Sequence, residues 1–126
     1  MQTFVISSDS TCDLYSDYVV QNEIAVVPLR YTMDKDGLLT EHEDSFTEYS
    51  QYVDFYAQLR AGGFSRTSML NHEAHLSHFE KLIAAGAKEI VHVSLSGGLS
   101  PTANVAAQAA AEAEQKHPGC KIYPVD

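Results

Sequence analysis

Tryptophan is absent, cysteine occurs only at Cys12 and Cys120, and only eight of the 126 residues are Lys or Arg. Each scarcity closes a class. Two thiols this far apart match neither a CxxC redox pair nor a zinc spacing, and are read as reduced structural side chains. Seventeen acidic residues against eight basic ones leave a net charge of −9. That field repels phosphate backbones and anionic lipid surfaces, so nucleic acid is excluded as a partner. No apolar run approaches the ~18 residues of a membrane span. Met1 leads through Gln2 and Thr3 straight into an apolar run without a basic or long apolar leader, so a cytoplasmic protein with no integral membrane segment is expected. There is no GxxxxGK phosphate loop, repeat or low-complexity tract. What remains is 44% hydrophobic and 20% charged, the composition of one ordinary globular domain.

Four short runs stand out as strands: residues 4–7, 24–29, 90–95 and 121–125. They are mostly continuous in apolarity, which suits a parallel sheet covered on both faces better than a half-exposed antiparallel one. Helical spacing separates them. Tyr15, Tyr18 and Val19 mark a short first helix capped by Ser10, Thr11 or Asp13, and Tyr49, Tyr52, Val53, Tyr56 and Leu59 mark a second over about 47–59, ended by Gly62-Gly63. Asn71 caps a third carrying Leu76, Phe79, Leu82 and Ile83, and a fourth runs from Pro101 to about Gln115. Residues 34–44 read as a loop or small hairpin. The alternation predicts a three-layer α/β fold, with a mainly parallel four-stranded sheet and helices on both faces.

The junction Leu95-Ser-Gly-Gly-Leu-Ser-Pro-Thr102 is richer in hydroxyls and glycine than a plain turn needs. Ser100 before Pro101 is a helix-start signal, with Ser as cap and Pro at the first helical position. The same loop leaves the carboxyl end of a parallel strand and opens a helix, where α/β sheets bind ligands and where free N–H groups suit an anion. Residues alone leave both readings open, a cap only or an anion site. The 65–71 and 96–102 loops are expected to be adjacent at that edge.

Other constellations are weaker. His72, Glu73 and His75 lack the second ligand at i+4 that a zinc helix needs, so His72, His75 and His78 are read as solvent-facing polar residues, with no metal site. Ser94-Leu-Ser96-Gly-Gly98 approaches a nucleophile elbow, which leaves a small α/β serine hydrolase or transferase using Ser96 or Ser100 as the alternative function. The stripe of Tyr49, Tyr52, Phe55 and Tyr56 is read as core, with a lipid tunnel lining as the other possibility.

Four segments in order resemble the amino-terminal domain of the DegV family: Ser8-Asp9-Ser10-Thr11-Cys12-Asp13-Leu14, Ile24-Ala-Val-Val-Pro-Leu29, Thr67-Ser68, and Leu95 to Thr102. Met69 and Leu70 stand where that family has Gln and Pro, Pro101 replaces its Gly, and Ala103 replaces its aromatic residue. The resemblance implies a lipid-binding protein that is not itself an enzyme and needs no cofactor. Its ligand is a long-chain fatty acid, its carboxylate held by Thr67 and Ser100, with Ser68, Ser96, Gly97 and Thr102 in support. It implies a fatty acid kinase as a partner to which the ligand is presented. It further implies that residues 1–126 are a truncated headgroup-binding domain, without the second domain that covers the acyl chain, and that an apolar patch is left exposed.

Overall fold

The computed structural model describes residues 4–126; the Met1–Thr3 lead-in lies outside them. In chain order the elements are β1 (Phe4–Asp9), α1 (Ser16–Gln21), β2 (Ala25–Val27), β3 (Arg30–Lys35), β4 (Leu38–Glu43), α2 (Tyr49–Arg60), β5 (Phe64–Ser68), α3 (His72–Ala84), β6 (Glu89–Val93), α4 (Thr102–Lys116) and β7 (Lys121–Val125). The four expected strands form a parallel sheet in the order β2-β1-β6-β7. The fold class is therefore a three-layer α/β fold on a parallel four-stranded sheet.

The core lies between that sheet and the α3–α4 pair. Phe79, Ile90, Ala109, Ala113 and Ile122 pack together with Val5, and Ala106, Ala109 and Ala113 are fully buried. Alanine at those positions lets α4 lie close to the strands, so the alanine-rich tract is a packing device. Burying Phe79 contributes about 1.5–3 kcal/mol, and truncating it to Ala costs about 3–5 kcal/mol through the cavity left behind.

The same interface holds histidines, which corrects their reading as solvent-facing. His75 and His92 are fully buried, and the Ser7 hydroxyl, also buried, lies 2.7 Å from His78 Nε2 and 2.8 Å from His92 Nδ1. His72 does reach the surface, where its Nε2 is 2.6 Å from Glu112 Oε2. The burial of His75 and half-burial of His78 follow from their place on α3 beside Leu76 and Phe79, which turn inward.

Right-handed crossovers put α1, which joins β1 to β2, on the face opposite α4, which joins β6 to β7. Helices thus flank both faces, but α1 is only six residues long. Beyond it no described helix covers the second face: Phe4, Ile6, Val93, Tyr123 and Val125 are each 42–46% exposed. The registers Ile6–Val91–Tyr123 and Ser8–Val93–Val125 show that these side chains stand in rows on one face. The sequence led to the expectation of an exposed apolar patch beside the 96–102 loop; the apolar exposure seen here runs along this sheet face.

A second, antiparallel sheet in the order β4-β3-β5 was only partly foreseen. The hairpin in residues 34–44 exists, turning at Asp36 and Gly37, both at positive φ, as a two-residue hairpin turn requires. It begins earlier, at Arg30, and β5 occupies most of the stretch read as the 65–71 loop. Polar strands such as β5 carry no apolar run to reveal them. Helix starts also shifted. None of Ser10, Thr11 and Asp13 caps α1, whose cap position is Tyr15; Asp9 instead caps a 3-10 turn over 10–12, accepting from Thr11 N at 2.9 Å. Asp13 then takes a left-handed conformation, and α1 begins only at Ser16. Asn71 caps α3 as expected, its Oδ1 accepting from Ala74 N at 2.8 Å.

Candidate functional site

The hinge between β6 and α4 is fixed from below by Asp9. This carboxylate is fully buried, and its Oδ2 accepts from Leu95 N at 3.2 Å while its Oδ1 accepts from Thr11 N. The opening motif of the chain and the hinge are therefore one unit, a role for Asp9 that the hydroxyl-acid turn in the sequence signals only by its composition. Ser96 C=O then accepts from Leu99 N and Ser100 N, closing the turn.

Donors in the hinge are arranged around oxygen acceptors. Gly98 N donates to Ser96 Oγ at 3.1 Å, and Gly97 N donates to Asp126 Oδ1 at 2.6 Å. The hinge thus already holds a carboxylate, that of Asp126. Ser100 stands one residue before the cap position it was expected to occupy, which Pro101 takes instead. Its oxygen still serves the helix start, accepting from Thr102 N at 3.2 Å and lying 2.9 Å from Thr102 Oγ1. Ser100, Gly97, Asn104 and Asp126 line a groove of about 400 Å³. Ser96, Gly97, Ser100 and Thr102 are therefore brought together.

Thr67 lies on β5 in the other sheet, opposite Tyr31. Ser68 follows it and so points to the opposite face of the strand. Thr67 lines a cavity of about 150 Å³ with Ser65, Tyr31, Phe46, Tyr52, Phe55 and Tyr56. The rings meet edge to face, Phe46 with Tyr52 at 5.0 Å and Tyr31 with Phe55 at 5.2 Å between centroids. Tyr52, Phe55 and Tyr56 fall on one side of α2 because they are spaced at i, i+3 and i+4.

No residue of α2 is buried, so the aromatic stripe is not core and lines open space instead. Tyr52 also borders a cavity of about 210 Å³, lined by Leu14, Val19, Val26 and Phe46, and another of about 470 Å³ toward Tyr49 and Val53. The three share walls and make one aromatic surface. Asp44 stands beside it with a pKa raised mainly by burial, the Ser10 hydrogen bond opposing and the Asp13 and Asp9 charges adding to the rise. Asp13 lines the same cavity. Asp13 and Asp44 bring negative charge to this surface, so an anionic end held there needs hydroxyl and N–H donors to offset them.

A hydrolytic serine needs a base. All six histidines are bonded elsewhere among the described residues: His78 and His92 to Ser7, His72 to Glu112, His117 to Glu80, His42 to Thr40, and His75 to Asn71 O. None serves Ser96 or Ser100. Cys12 borders the aromatic surface, and Cys120 packs with its sulfur 3.6 Å from Ala87 O. No described helix is long and apolar enough to cross a membrane.

The domain thus carries a hydroxyl-rich loop pinned by its first parallel strand and, separately, an aromatic surface built largely on its second sheet and α2. Comparisons with known proteins identify its family. The model described as "Uncharacterised protein, DegV family" matches residues 3–126, and the chain belongs to the DegV family. A DegV domain-containing 15.5 kDa protein of Staphylococcus aureus is 33% identical over 105 residues, which is 83% of this chain and 70% of that protein. The DegV domain-containing protein CPE0026 of Clostridium perfringens is 31% identical over 126 residues, all of this chain but 42% of the relative. A Thermotoga maritima protein whose structure is described as revealing fatty acid binding function aligns with a TM-score of 0.74 at 27% identity, over 98% of this chain and 42% of its own. The Streptococcus pneumoniae fatty acid kinase B3 protein, solved loaded with linoleic acid, gives a TM-score of 0.64 at 25% identity, over 99% and 42%. Against most of these proteins the chain spans about two-fifths of their length.

Proposed function

We propose that this chain binds a long-chain fatty acid, with the carboxylate at the Ser100 end of the hinge and the acyl chain toward aromatic and apolar surface. The observation that carries the reading is the hinge's own chemistry: Gly97 N already donates to a carboxylate oxygen, that of Asp126, at 2.6 Å. Charge-assisted bonds of this kind hold an anion in a protein whose overall charge repels it. Thr67, on the wall of the aromatic cavity, is proposed as the second hydroxyl for the carboxylate, with Ser96, Gly97 and Thr102 supporting the site; Ser68, on the other face of β5, is not grouped with them. The family relationship adds weight, since one relative of this fold was solved loaded with linoleic acid and another is described as revealing fatty acid binding function.

The chain is proposed to act as the headgroup-holding part of a binding protein, not as a catalyst, in the cytoplasm, and to present its ligand to a fatty acid kinase. The exposed sheet face supports a further surface closing over the acyl chain, as an unpartnered parallel sheet is costly. Extraction of the purified, heat-denatured protein into organic solvent, followed by mass spectrometry, tests the reading. Release of a stoichiometric long-chain fatty acid supports it. A lipid-free extract, from protein that also fails to take up added fatty acid, overturns it.

A further inference from the structure

Thr102 begins α4 and is buried to 2% exposure, so its hydroxyl must find a partner inside the protein. That partner is Ser100 Oγ, 2.9 Å away. The backbone N–H of Thr102 donates to the same oxygen at 3.2 Å. One residue therefore addresses the Ser100 hydroxyl twice.

A hydroxyl oxygen has two lone pairs and one proton. When Thr102 Oγ1 donates, its O–H and N–H fill both lone pairs of Ser100 Oγ, and the Ser100 proton is all that remains to be used. When the bond runs the other way, Ser100 spends its proton on Thr102 and has none for a ligand. A carboxylate only accepts, so its arrival selects the first arrangement. The resulting chain from Thr102 to Ser100 to ligand strengthens each bond by polarisation.

We propose that Thr102 is the positioning residue of the carboxylate site, converting Ser100 from a two-way hydroxyl into an obligate donor aimed at the groove. This rests on the fatty-acid reading above and assigns Thr102 a role through Ser100, without ligand contact. Val at this position keeps the branched shape and backbone N–H and removes only the O–H.

The test is titration of a fluorescent long-chain fatty acid into the folded wild-type chain, Ser100→Ala, Thr102→Val, Thr102→Ser and the Ser100→Ala/Thr102→Val double variant. Ser100→Ala is expected to weaken binding about 10- to 150-fold, the range for one hydrogen bond to a charged group. Thr102→Val should weaken it about 2- to 10-fold, the range for one neutral hydrogen bond, and Thr102→Ser should restore it to within about twofold. In the Ser100→Ala background Thr102→Val should change nothing further, because the hydroxyl it orients is gone. Should Thr102→Val fail to fold, Thr102→Ala takes its place.

An equal loss from Thr102→Val in both backgrounds would make Thr102 merely structural and overturn the inference. So would an unchanged affinity in Thr102→Val beside a weakened Ser100→Ala, which leaves the fatty-acid reading standing. Unchanged affinity in Ser100→Ala, or no binding by the wild-type chain, removes that reading and the inference with it.

Discussion

Acidification from pH 7 to pH 5 is expected to take away a large share of the fold's stability, because histidines are packed under the sheet where a positive charge has little to stabilise it. His92 is fully buried, its Nδ1 meets Ser7, and its Nε2 has no partner among the described residues. Burial, followed by the charge of His75 and opposed by Asp9, pushes its pKa from an ordinary 6.5 down to about 4. His78 is pushed to about 4 as well, again mainly by burial, with His92, His75 and Lys81 adding to the shift. His75 is lowered for the same leading reason.

An unfolded chain takes up these protons near 6.5 and the folded one only near 4, so the unfolded state binds more protons across that window. Stability therefore falls as the pH drops through it. For one histidine with these two pKa values the loss between pH 7 and pH 5 is about 2 kcal/mol, approaching about 3 kcal/mol in the acid limit. His78 and His92 share the single proton of Ser7, so their losses are coupled and together fall between about 2 and 4 kcal/mol. That is a large fraction of the roughly 5–15 kcal/mol that holds a domain together. Asp44, raised by burial, acts in the opposite sense. Glu112, lowered by its bond to His72, adds its loss only as the pH falls below the ordinary carboxylate range. Urea unfolding at pH 7, 6 and 5 reads the effect, and His92→Asn should flatten the slope while lowering stability at pH 7. A midpoint that stays level or rises on acidification would refute the reasoning.

Gly63→Ala is expected to lower the melting temperature by the equivalent of about 1–3 kcal/mol, since a Cβ there would lie 2.7 Å from Gln58 O and 3.0 Å from Met33 Sδ; an unchanged melt would show that the β5 entrance is looser than it stands. The exposed sheet face should bind a hydrophobic dye, and Ile6→Asp with Val93→Lys should abolish that fluorescence, whereas dye binding unaffected by both would place the patch elsewhere. Thr67→Ala should weaken fatty-acid binding while moving stability by less than about 0.5 kcal/mol, because Thr67 is exposed and makes no described side-chain hydrogen bond; a stability loss without a binding loss in denaturation and titration would remove Thr67 from the site.

The parallel sheet was legible because β1, β2, β6 and β7 are short apolar runs broken by helical spacing and turn residues. The antiparallel sheet was not, since β4 and β5 are Leu-Leu-Thr-Glu-His-Glu and Phe-Ser-Arg-Thr-Ser, whose pattern carries neither a buried run nor a strict alternation. His75 and His78 were misplaced because residue type argued for solvent while the helix face they share with Phe79 faces inward. The hinge drew notice through composition, but its anchors could not be read. Asp9 reaches Leu95 across 86 positions, and Asp126 reaches Gly97 across 29. Long-range polar contacts of that kind leave no local periodicity.

The most direct test of the central claim is NMR of a long-chain fatty acid isotopically labelled at its carboxyl carbon, titrated into the chain. A saturable bound signal, shifted from that of free fatty acid and returning toward it in Ser100→Ala, is the expected result. A carboxyl signal that never leaves the free position, or a bound signal untouched by Ser100→Ala, would contradict the account.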